Sequence, residues 1–142
     1  MIEIRLLREG EEAMLMGAVP DVFANSVRPE FAREFLGDPR HHIAVALDGS
    51  VLVGFASAVH YVHPDKPAEL WINEVAVAPT HRQRGLAKQI VTTLLDHGRT
   101  LGCKVAWVLT HTGNGAALAL YASVGGTELS RDTVHVEFDL MK

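Results

Sequence analysis

Residues 75–87 constrain the fold of this chain more than any other segment. They join an apolar strand, Val75-Ala76-Val77, to a turn that contains Gly85 and opens an amphipathic helix. The first backbone N–H groups of a helix have no partner within the helix, so with the helix dipole they attract an anion. Arg82 and Arg84 add positive charge beside those donors. The segment therefore predicts a phosphate-binding turn between a strand and a helix.

The turn differs from two common phosphate-binding motifs, because neither G-x-x-x-x-G-K-[ST] nor G-x-G-x-x-G occurs in the chain. Instead, Arg82-x-x-Gly85-x-Ala87 resembles the [QR]-x-x-G-x-[GA] motif with which GCN5-related N-acetyltransferases (GNAT) bind the pyrophosphate of coenzyme A. A basic loop that merely caps a surface helix is the alternative. The resemblance implies acetyl-CoA as cofactor, bound by Val75, Ala76, Val77, Arg82, Gln83, Arg84, Gly85, Leu86, Ala87, Asn114 and Tyr121.

A second motif lies in residues 114–126, which are similar to the family's N-x-x-A-x-x-L-Y-x-x-x-G-F segment, with Gly126 in place of the final aromatic residue. Asn114 and Tyr121 lie two helical turns apart and therefore project from nearly the same face. In the family, this face adjoins the pantetheine arm of the cofactor. Tyr121 is the candidate general acid, since a neutral phenol can protonate the departing thiolate. The alternative is a tyrosine that only packs its ring.

Glu74 is the candidate general base, because an ammonium ion must lose a proton before it can attack a thioester. It lies in an otherwise apolar strand, where a carboxylate would be partly shielded from water. There are two alternatives to this role. Glu74 could be solvated or paired with an arginine, or it could bind a cationic substrate without accepting a proton. Regular alternation predicts that Ile72 and Ala76 share its face. The resemblance implies a kink in this strand that frees amides of residues 75–77 for the oxyanion.

Apolar periodicity and turn residues predict an α/β fold with a mixed sheet, in the order β-α-α-β-β-β-α-β-α-β-β. This order resembles the GNAT acyl-CoA N-acyltransferase fold over essentially the whole chain. The helix that follows the phosphate turn would connect two parallel strands. Strands are expected at residues 2–7, 42–47, 51–61, 69–77, 104–110, 127–129 and 133–140, and helices at 11–23, 29–36, 84–101 and 114–124.

Length and composition predict one domain over residues 1–142, because 142 residues with 48% apolar content can bury one core. No apolar run approaches the ~20 residues of a membrane span, and no export signal is recognised, so a cytoplasmic protein is expected. The net charge of −4 argues against nucleic-acid binding and suits a cationic partner. The lone Cys103 excludes an internal disulfide. The pairs His41-His42 and His60-x-x-His63 lack the ligand spacing of a metal site, so no metal is expected.

Within the family, the chain looks most like the aminoglycoside 3-N-acetyltransferases. The resemblance rests on four short segments, at residues 21–23, 64–69, 73–77 and 136–139. Aminoglycosides carry several ammonium groups, which acidic side chains bind through charge-assisted hydrogen bonds. Residues 111–114 depart from the pattern, because the resistance enzymes carry an acidic loop there. The candidate substrate-binding residues are Asp21, Asp65, Glu69, Glu74, His111 and Asp139.

Two other functions fit the same sequence features. The first is acetylation of another amine, such as a polyamine, an amino acid or a protein N-terminus, with the same cofactor site. The second is a non-catalytic module that binds acyl-CoA and regulates a partner. Family members are often homodimers, although no segment of this sequence identifies an interface.

Overall fold

A computed structural model describes all 142 residues, which form two compact units, 1–109 and 110–142. The larger unit contains a mixed five-stranded sheet in the order β1-β2-β3-β4-β5. Neighbouring strands are antiparallel except for β4 and β5, which are parallel and connected through α3. The elements are β1 Ile2–Leu6, α1 Glu12–Met16, α2 Pro29–Gly37, β2 His41–Asp48, β3 Val51–Tyr61, β4 Glu69–Val77, a short 3-10 helix Pro79–His81, α3 Leu86–Thr100, β5 Val105–Val108 and α4 Gly115–Ser123.

Small residues on one face of the sheet allow α3 to approach β2 and β3 closely. A Cβ atom on Gly54 would lie only 3.1 Å from Cδ1 of Ile90 in α3. Ile90 and Leu94 are fully buried against this face. Because α3 begins directly after the turn at the end of β4, this close packing fixes the position of the turn. The small residues are Ala44, Ala46, Gly54, Ala56 and Ala58, which form cross-strand pairs or follow one another at the strand period of two.

The opposite face of the sheet is covered by α1, α2 and the segment between them. Phe23 in that segment stacks on Phe55 of β3, with ring centroids 4.1 Å apart. Leu15, Val22 and Ala32 are buried on the same side of the molecule. These elements contact β2 and β3, so they bring the α1–α2 segment over the middle of the sheet.

The first helix is shorter than the sequence predicts. The prediction covered residues 11–23, whereas α1 ends at Met16. Gly17 follows, Pro20 has no N–H to donate, and Asp21 adopts a left-handed φ of 72°. These residues stop the helix although the apolar pattern continues through Val22 and Phe23.

The two last predicted strands, at residues 127–129 and 133–140, are wrong. The structure has no strand after β5. Val134, Val136, Phe138 and Leu140 alternate with polar residues, but all four are exposed. A strand of three residues gives a hairpin too little pairing, and an isolated two-stranded hairpin is marginally stable at best in water.

Of the helices, none combines the length and the apolar character needed to cross a bilayer.

Candidate functional site

The N-terminus of α3 is open to a ligand. Gly85 is its N-cap residue, with a left-handed φ of 74° and no side chain to cap the helix. The first hydrogen bond of the helix runs from Gln89 N–H to the Gly85 carbonyl, at 3.2 Å. The N–H groups of residues 86–88 therefore have no partner within the helix and point out of its end. With the helix dipole, they form a set of donors that attracts an anion.

Two arginine side chains hold the turn in front of this helix end. Arg82 donates from Nε to the Val77 carbonyl at 3.1 Å, and Arg84 donates from Nη2 to the Thr80 carbonyl at 3.5 Å. Both side chains are exposed, and Gln83 between them has a left-handed φ of 63°. The arrangement keeps two positive charges beside the free amides, as a site for a phosphate group requires.

His81 anchors the same turn to the sheet, a role that sequence reasoning missed. Its Nε2 lies 2.8 Å from Oδ2 of Asp48, and its Nδ1 lies 2.8 Å from Oγ1 of Thr80. The hydrogen bond from His81 lowers the pKa of Asp48 below its ordinary value. Asp48 belongs to the β2–β3 hairpin, 33 residues earlier in the chain, so no local sequence pattern could reveal the contact.

β4 contains a bulge at Asn73. Ser57 of β3 pairs with Glu74 and Ala58 pairs with Ile72, which leaves Asn73 as the extra residue. Side chains beyond a bulge change face relative to a regular strand. Leu70 contacts Gly98 of α3 and, on the far side of the bulge, Val77 lies beside Ile90 of α3. Residues seven apart can share a face only because of the bulge.

The bulge corrects one expectation and meets another. Ile72 lies on the α3 face with Val75 and Val77, whereas Glu74 and Ala76 lie on the opposite face, so the predicted grouping of Ile72 with Glu74 was wrong. The kink that the family resemblance implied is present at this point of the strand.

Beyond the bulge, β4 separates from β5. The last pair of the two strands is Ile72 with Val108, so residues 73–77 pair only with β3. The Ala78 N–H donates to the Val53 carbonyl of β3 at 2.7 Å. Because N–H groups alternate along a strand, those of Val75 and Val77 point to the open side and that of Ala76 points to β3. Two amides therefore face the gap between the strands.

Glu74 lies on the same sheet face as Phe55 and Phe23, directly before these open amides. Its side chain is exposed, so the shielding from water expected from the sequence is absent. Glu74 takes part in none of the ion pairs of the structure. Its carboxylate can accept a proton or bind a cation.

Asn114 and Tyr121 belong to the smaller unit. Asn114 is the N-cap of α4, and its side-chain oxygen accepts a hydrogen bond from the Ala117 N–H at 3.1 Å. Tyr121 is half-buried, and burial raises the pKa of its phenol. A Cβ atom on Gly126 would lie 2.8 Å from the Tyr121 carbonyl oxygen, so only glycine fits where the family motif has an aromatic residue.

The remaining candidate substrate residues are dispersed. Glu69 begins β4, and its carboxylate lies 3.3 Å from Lys66 Nζ and 3.8 Å from His63 Nε2, so its charge is largely compensated. Glu69 and Glu74 share one strand. The others, Asp21, Asp65, His111 and Asp139, are exposed, the first two in loops of the larger unit and the last two in the smaller unit.

The histidines form no metal site. His42 Nε2 lies 2.7 Å from His60 Nδ1, and His42 Nδ1 lies 3.1 Å from His97 Nε2, so three rings form a chain. No group of three or more His, Cys, Asp or Glu residues is arranged to hold a metal ion. Cys103, whose pKa is raised by burial, lies beside Gly98 at the end of α3, far along the helix from the open turn.

Comparison with known proteins identifies the family. Residues 11–125 match the family model described as Acetyltransferase (GNAT) family. N-alpha-acetyltransferase RimI of Mycobacterium tuberculosis (strain ATCC 25618 / H37Rv) is 36% identical over 95 residues, which cover 67% of this chain and 57% of that protein. The chain spans about half the length of these curated relatives.

Solved structures share the fold. An aminoglycoside acetyltransferase from an uncultured soil metagenomic sample, in complex with sisomicin, has a TM-score of 0.84 at 18% identity, with 98% of this chain and 96% of that chain covered. The aminoglycoside N-acetyltransferase AAC(6')-Iy, in complex with a bisubstrate analogue of CoA, has a TM-score of 0.79 at 21% identity, with coverages of 98% and 99%. The fold, the open helix end and the family match agree, and this chain belongs to the GNAT acetyltransferase family, whose cofactor is acetyl-CoA.

Proposed function

We propose that residues 1–142 act as one N-acetyltransferase domain that moves the acetyl group of acetyl-CoA to an amine of a cationic small molecule. The observation that carries the proposal is the adjacency of two features of the larger unit. One is the uncapped N-terminus of α3 with Arg82 and Arg84, and the other is the open side of β4 with the amides of Val75 and Val77. Diphosphate chemistry suits the first, and a thioester carbonyl suits the second.

The donor site follows from these groups. The diphosphate of CoA accepts hydrogen bonds from the free amides of residues 86–88, while Arg82 and Arg84 balance its charge. The pantetheine arm extends along the open side of β4. The amides of Val75 and Val77 donate to the thioester carbonyl and to the oxyanion that develops on it. Gln83 and Ala87 complete the proposed cofactor set in the larger unit, and the family resemblance adds Asn114 and Tyr121 to it.

The chemical step is direct transfer. Glu74 accepts a proton from the substrate ammonium, directly or through water, and thereby frees the nitrogen lone pair. The nitrogen attacks the thioester carbon, and the carbon–sulfur bond breaks as the tetrahedral intermediate collapses. The nitrogen loses its second proton in this step, which leaves a neutral amide and, through water, replaces the proton that Tyr121 gives up. Tyr121 donates its phenolic proton to the departing thiolate. The phenol is protonated at neutral pH and so available as a donor, although burial raises its pKa further and makes it a weaker acid.

The acceptor that we propose is the 3-amino group of an aminoglycoside. The net charge of −4, the exposed Glu74 and the acidic loop residues Asp21 and Asp65 support a polycationic substrate. The position of the amino group rests on the sequence resemblance alone, because the shared fold does not distinguish one amino group from another. We place the reaction in the cytoplasm, where the lone thiol of Cys103 stays reduced.

A second candidate is acetylation of a protein N-terminus, and the 36% identity to RimI favours it. Polyamines and amino acids are further amine acceptors that the same donor site could serve. A non-catalytic acyl-CoA-binding regulator is the alternative from another class. It predicts cofactor binding without turnover of any amine.

A screen of acceptors tests these functions. Purified protein is mixed with acetyl-CoA and with gentamicin, spermidine or an alanine-starting peptide, and free thiol is measured. We expect thiol release with gentamicin and acetylation of its 3-amino group by NMR. Release with the peptide alone would contradict the substrate assignment. If calorimetry detects CoA binding but no amine causes thiol release, the protein is not an acetyltransferase for these amines and the non-catalytic regulator is favoured.

The Glu74→Gln variant distinguishes a base from an anchor. Loss of a general base lowers kcat about a hundredfold or more, whereas loss of an anchor mainly raises KM. We expect the fall in kcat. The matched control is Asp96→Asn, which removes an exposed carboxylate from α3, on the other face of the sheet. That variant should keep both kinetic constants.

A further inference from the structure

Two indole rings stack where β4 and β5 still pair. Trp71 of β4 and Trp107 of β5 are direct partners in the parallel register. Their ring centroids lie 4.9 Å apart, and the ring planes differ by 10°. The chain contains no other tryptophan.

The stack lies on the same face of the sheet as Glu74. Leu70 faces α3, so the next residue, Trp71, points to the opposite face. Its cross-strand partner is Val59 of β3. Beyond the bulge, Glu74 returns to this opposite face. The two indoles and the carboxylate therefore share one surface, and Trp71 precedes Glu74 by only three residues along β4.

The stack also borders the gap between the strands. Trp71 and Trp107 are followed by Ile72 and Val108, which form the last pair before β4 and β5 separate. The helices on this face pack mainly on β2 and β3, and Trp107 is partly exposed. Trp71 is 37% exposed. A partly exposed pair of aromatic rings on the same sheet face as a proposed catalytic carboxylate is typical of the wall of a ligand-binding site.

We propose that the Trp71–Trp107 stack binds a second, protonated ammonium group of the acceptor, while Glu74 receives the ammonium that reacts. This inference rests on the proposed acetyl transfer. The reacting nitrogen must lose its proton and cannot be the cation held by the rings. Tryptophan is the best cation–π partner among side chains. The exposed carboxylate of Glu74, on the same face, also attracts a positively charged acceptor. The site therefore selects acceptors with at least two amines over acceptors with one.

Intrinsic fluorescence reports on the stack directly, because its two indoles are the only tryptophans. Wild-type protein saturated with CoA, which cannot transfer an acetyl group, is titrated with neamine, an aminosugar with several ammonium groups. Glucosamine, with one ammonium group, is the matched probe. We expect a saturable change in emission with neamine and none with glucosamine at equal concentration. No change with neamine, or equal changes with both sugars, would overturn the proposal.

Kinetics of two variants provide the second test. Trp71→Leu removes the aromatic face and keeps an apolar side chain, and we expect it to raise KM for neamine about tenfold. The KM for glucosamine, kcat and the Kd of CoA should change less than about twofold. Trp71→Phe should restore most of the lost affinity. Asp96→Asn again serves as the control. An equal rise in KM for both sugars would mean that the indoles only shape the pocket.

Two further outcomes separate this inference from what it rests on. If calorimetry detects no CoA binding, the proposed function and the inference both fail. If CoA binds and amines are acetylated but the indoles respond to neither sugar, only the inference fails. An emission maximum that depends on protein concentration without added amine would assign the surface to contact between two copies of the chain, and would also overturn the proposal.

Discussion

Asn73 determines which surface Glu74 occupies. In a regular strand, Glu74 would share a face with Leu70 and Ile72 and would point beneath α3. A carboxylate there would be buried without a partner, which is strongly unfavourable. The bulge at Asn73 turns Glu74 to the open face instead. The sequence carries a signal for this, because Asn73-Glu74 are two consecutive polar residues that interrupt the alternation of an otherwise apolar strand.

Tyr121 can be tested by removing one oxygen atom. Tyr121→Phe keeps the half-buried ring and deletes the proton donor, so we expect the departing thiolate to leave more slowly. The kcat should fall roughly tenfold to a thousandfold, with the Kd of CoA nearly unchanged. Thiol release gives kcat, and calorimetry gives the Kd.

The other tyrosine of the chain provides the control. Tyr61 lies in β3 and contacts the ring of His63, and Tyr61→Phe should keep full activity. If Tyr121→Phe turns over as fast as the wild type, the thiolate obtains its proton from another source, and Tyr121 has no catalytic role.

At the scale of elements, α3 is the helix on which the proposed donor site depends. Gly85 precedes it with a left-handed φ of 74°, and apart from its two chain neighbours no residue has an atom within 4 Å of where a Cβ would be. In Gly85→Ala, the methyl group occupies the space through which a phosphate approaches the amides. We expect the Kd of CoA to rise about tenfold or more. An alanine at position 85 must also adopt the left-handed conformation, which destabilises the fold of the variant by about 1 kcal/mol.

Gly102 separates the two effects of that substitution. It follows the other end of α3 with a left-handed φ of 84° and equally open space. Gly102→Ala should therefore cost similar stability in urea unfolding and leave the Kd of CoA unchanged. Equal Kd values for both variants and the wild type would exclude the amides after Gly85 as the diphosphate site.

Elements with strong local signals were predictable from sequence, and those that depend on distant contacts were not. β3 and β4 have the bounds that alternation predicted, and Gly49 has the left-handed φ of 64° that a tight hairpin turn needs. The turn with Gly85 before α3 and the start of α4 at Asn114 follow from local sequence as well. The contact of His81 with Asp48 depends on tertiary packing. The strands expected after residue 126 are absent from the structure. Alternation of apolar and polar residues indicates a tendency to form a strand, but it does not identify the strand with which the segment would pair.

At the scale of the whole molecule, three histidines connect three elements of the core. His42 of β2 contacts His60 of β3 and His97 of α3 through its two ring nitrogens. The sequence gives no sign of this chain, because it requires the strand register and the position of α3 together. His42 is buried, with 8% of its surface exposed. Burial and the neighbouring His97, His60 and His41 lower the pKa of His42 from its ordinary 6.5 to about 4, whereas Asp38 acts in the opposite direction.

The lowered pKa makes the stability of the fold depend on pH. The unfolded chain binds a proton at His42 below about pH 6.5, while the folded chain resists it until about pH 4. Protons therefore favour the unfolded state in this window, and stability is lost as the pH falls through it. The slope is at most about 1.4 kcal/mol per pH unit for one group, and less where solvent screens the ring. Burial also lowers the pKa of His97, which adds to the effect in the same direction.

We accordingly expect the free energy of unfolding to decrease between pH 6.5 and pH 4.5 in the wild type and to decrease less in His42→Gln, which cannot titrate. Urea unfolding at several pH values measures this, and tryptophan fluorescence follows it because both indoles belong to residues 1–109. His111→Gln removes an exposed histidine from the smaller unit and should keep the wild-type slope. Equal slopes of unfolding free energy against pH in all three proteins would mean that His42 binds protons as readily in the folded state as in the unfolded state. Asp48 would not account for a slope in this window, because the lowered pKa of its carboxyl group affects stability only at lower pH.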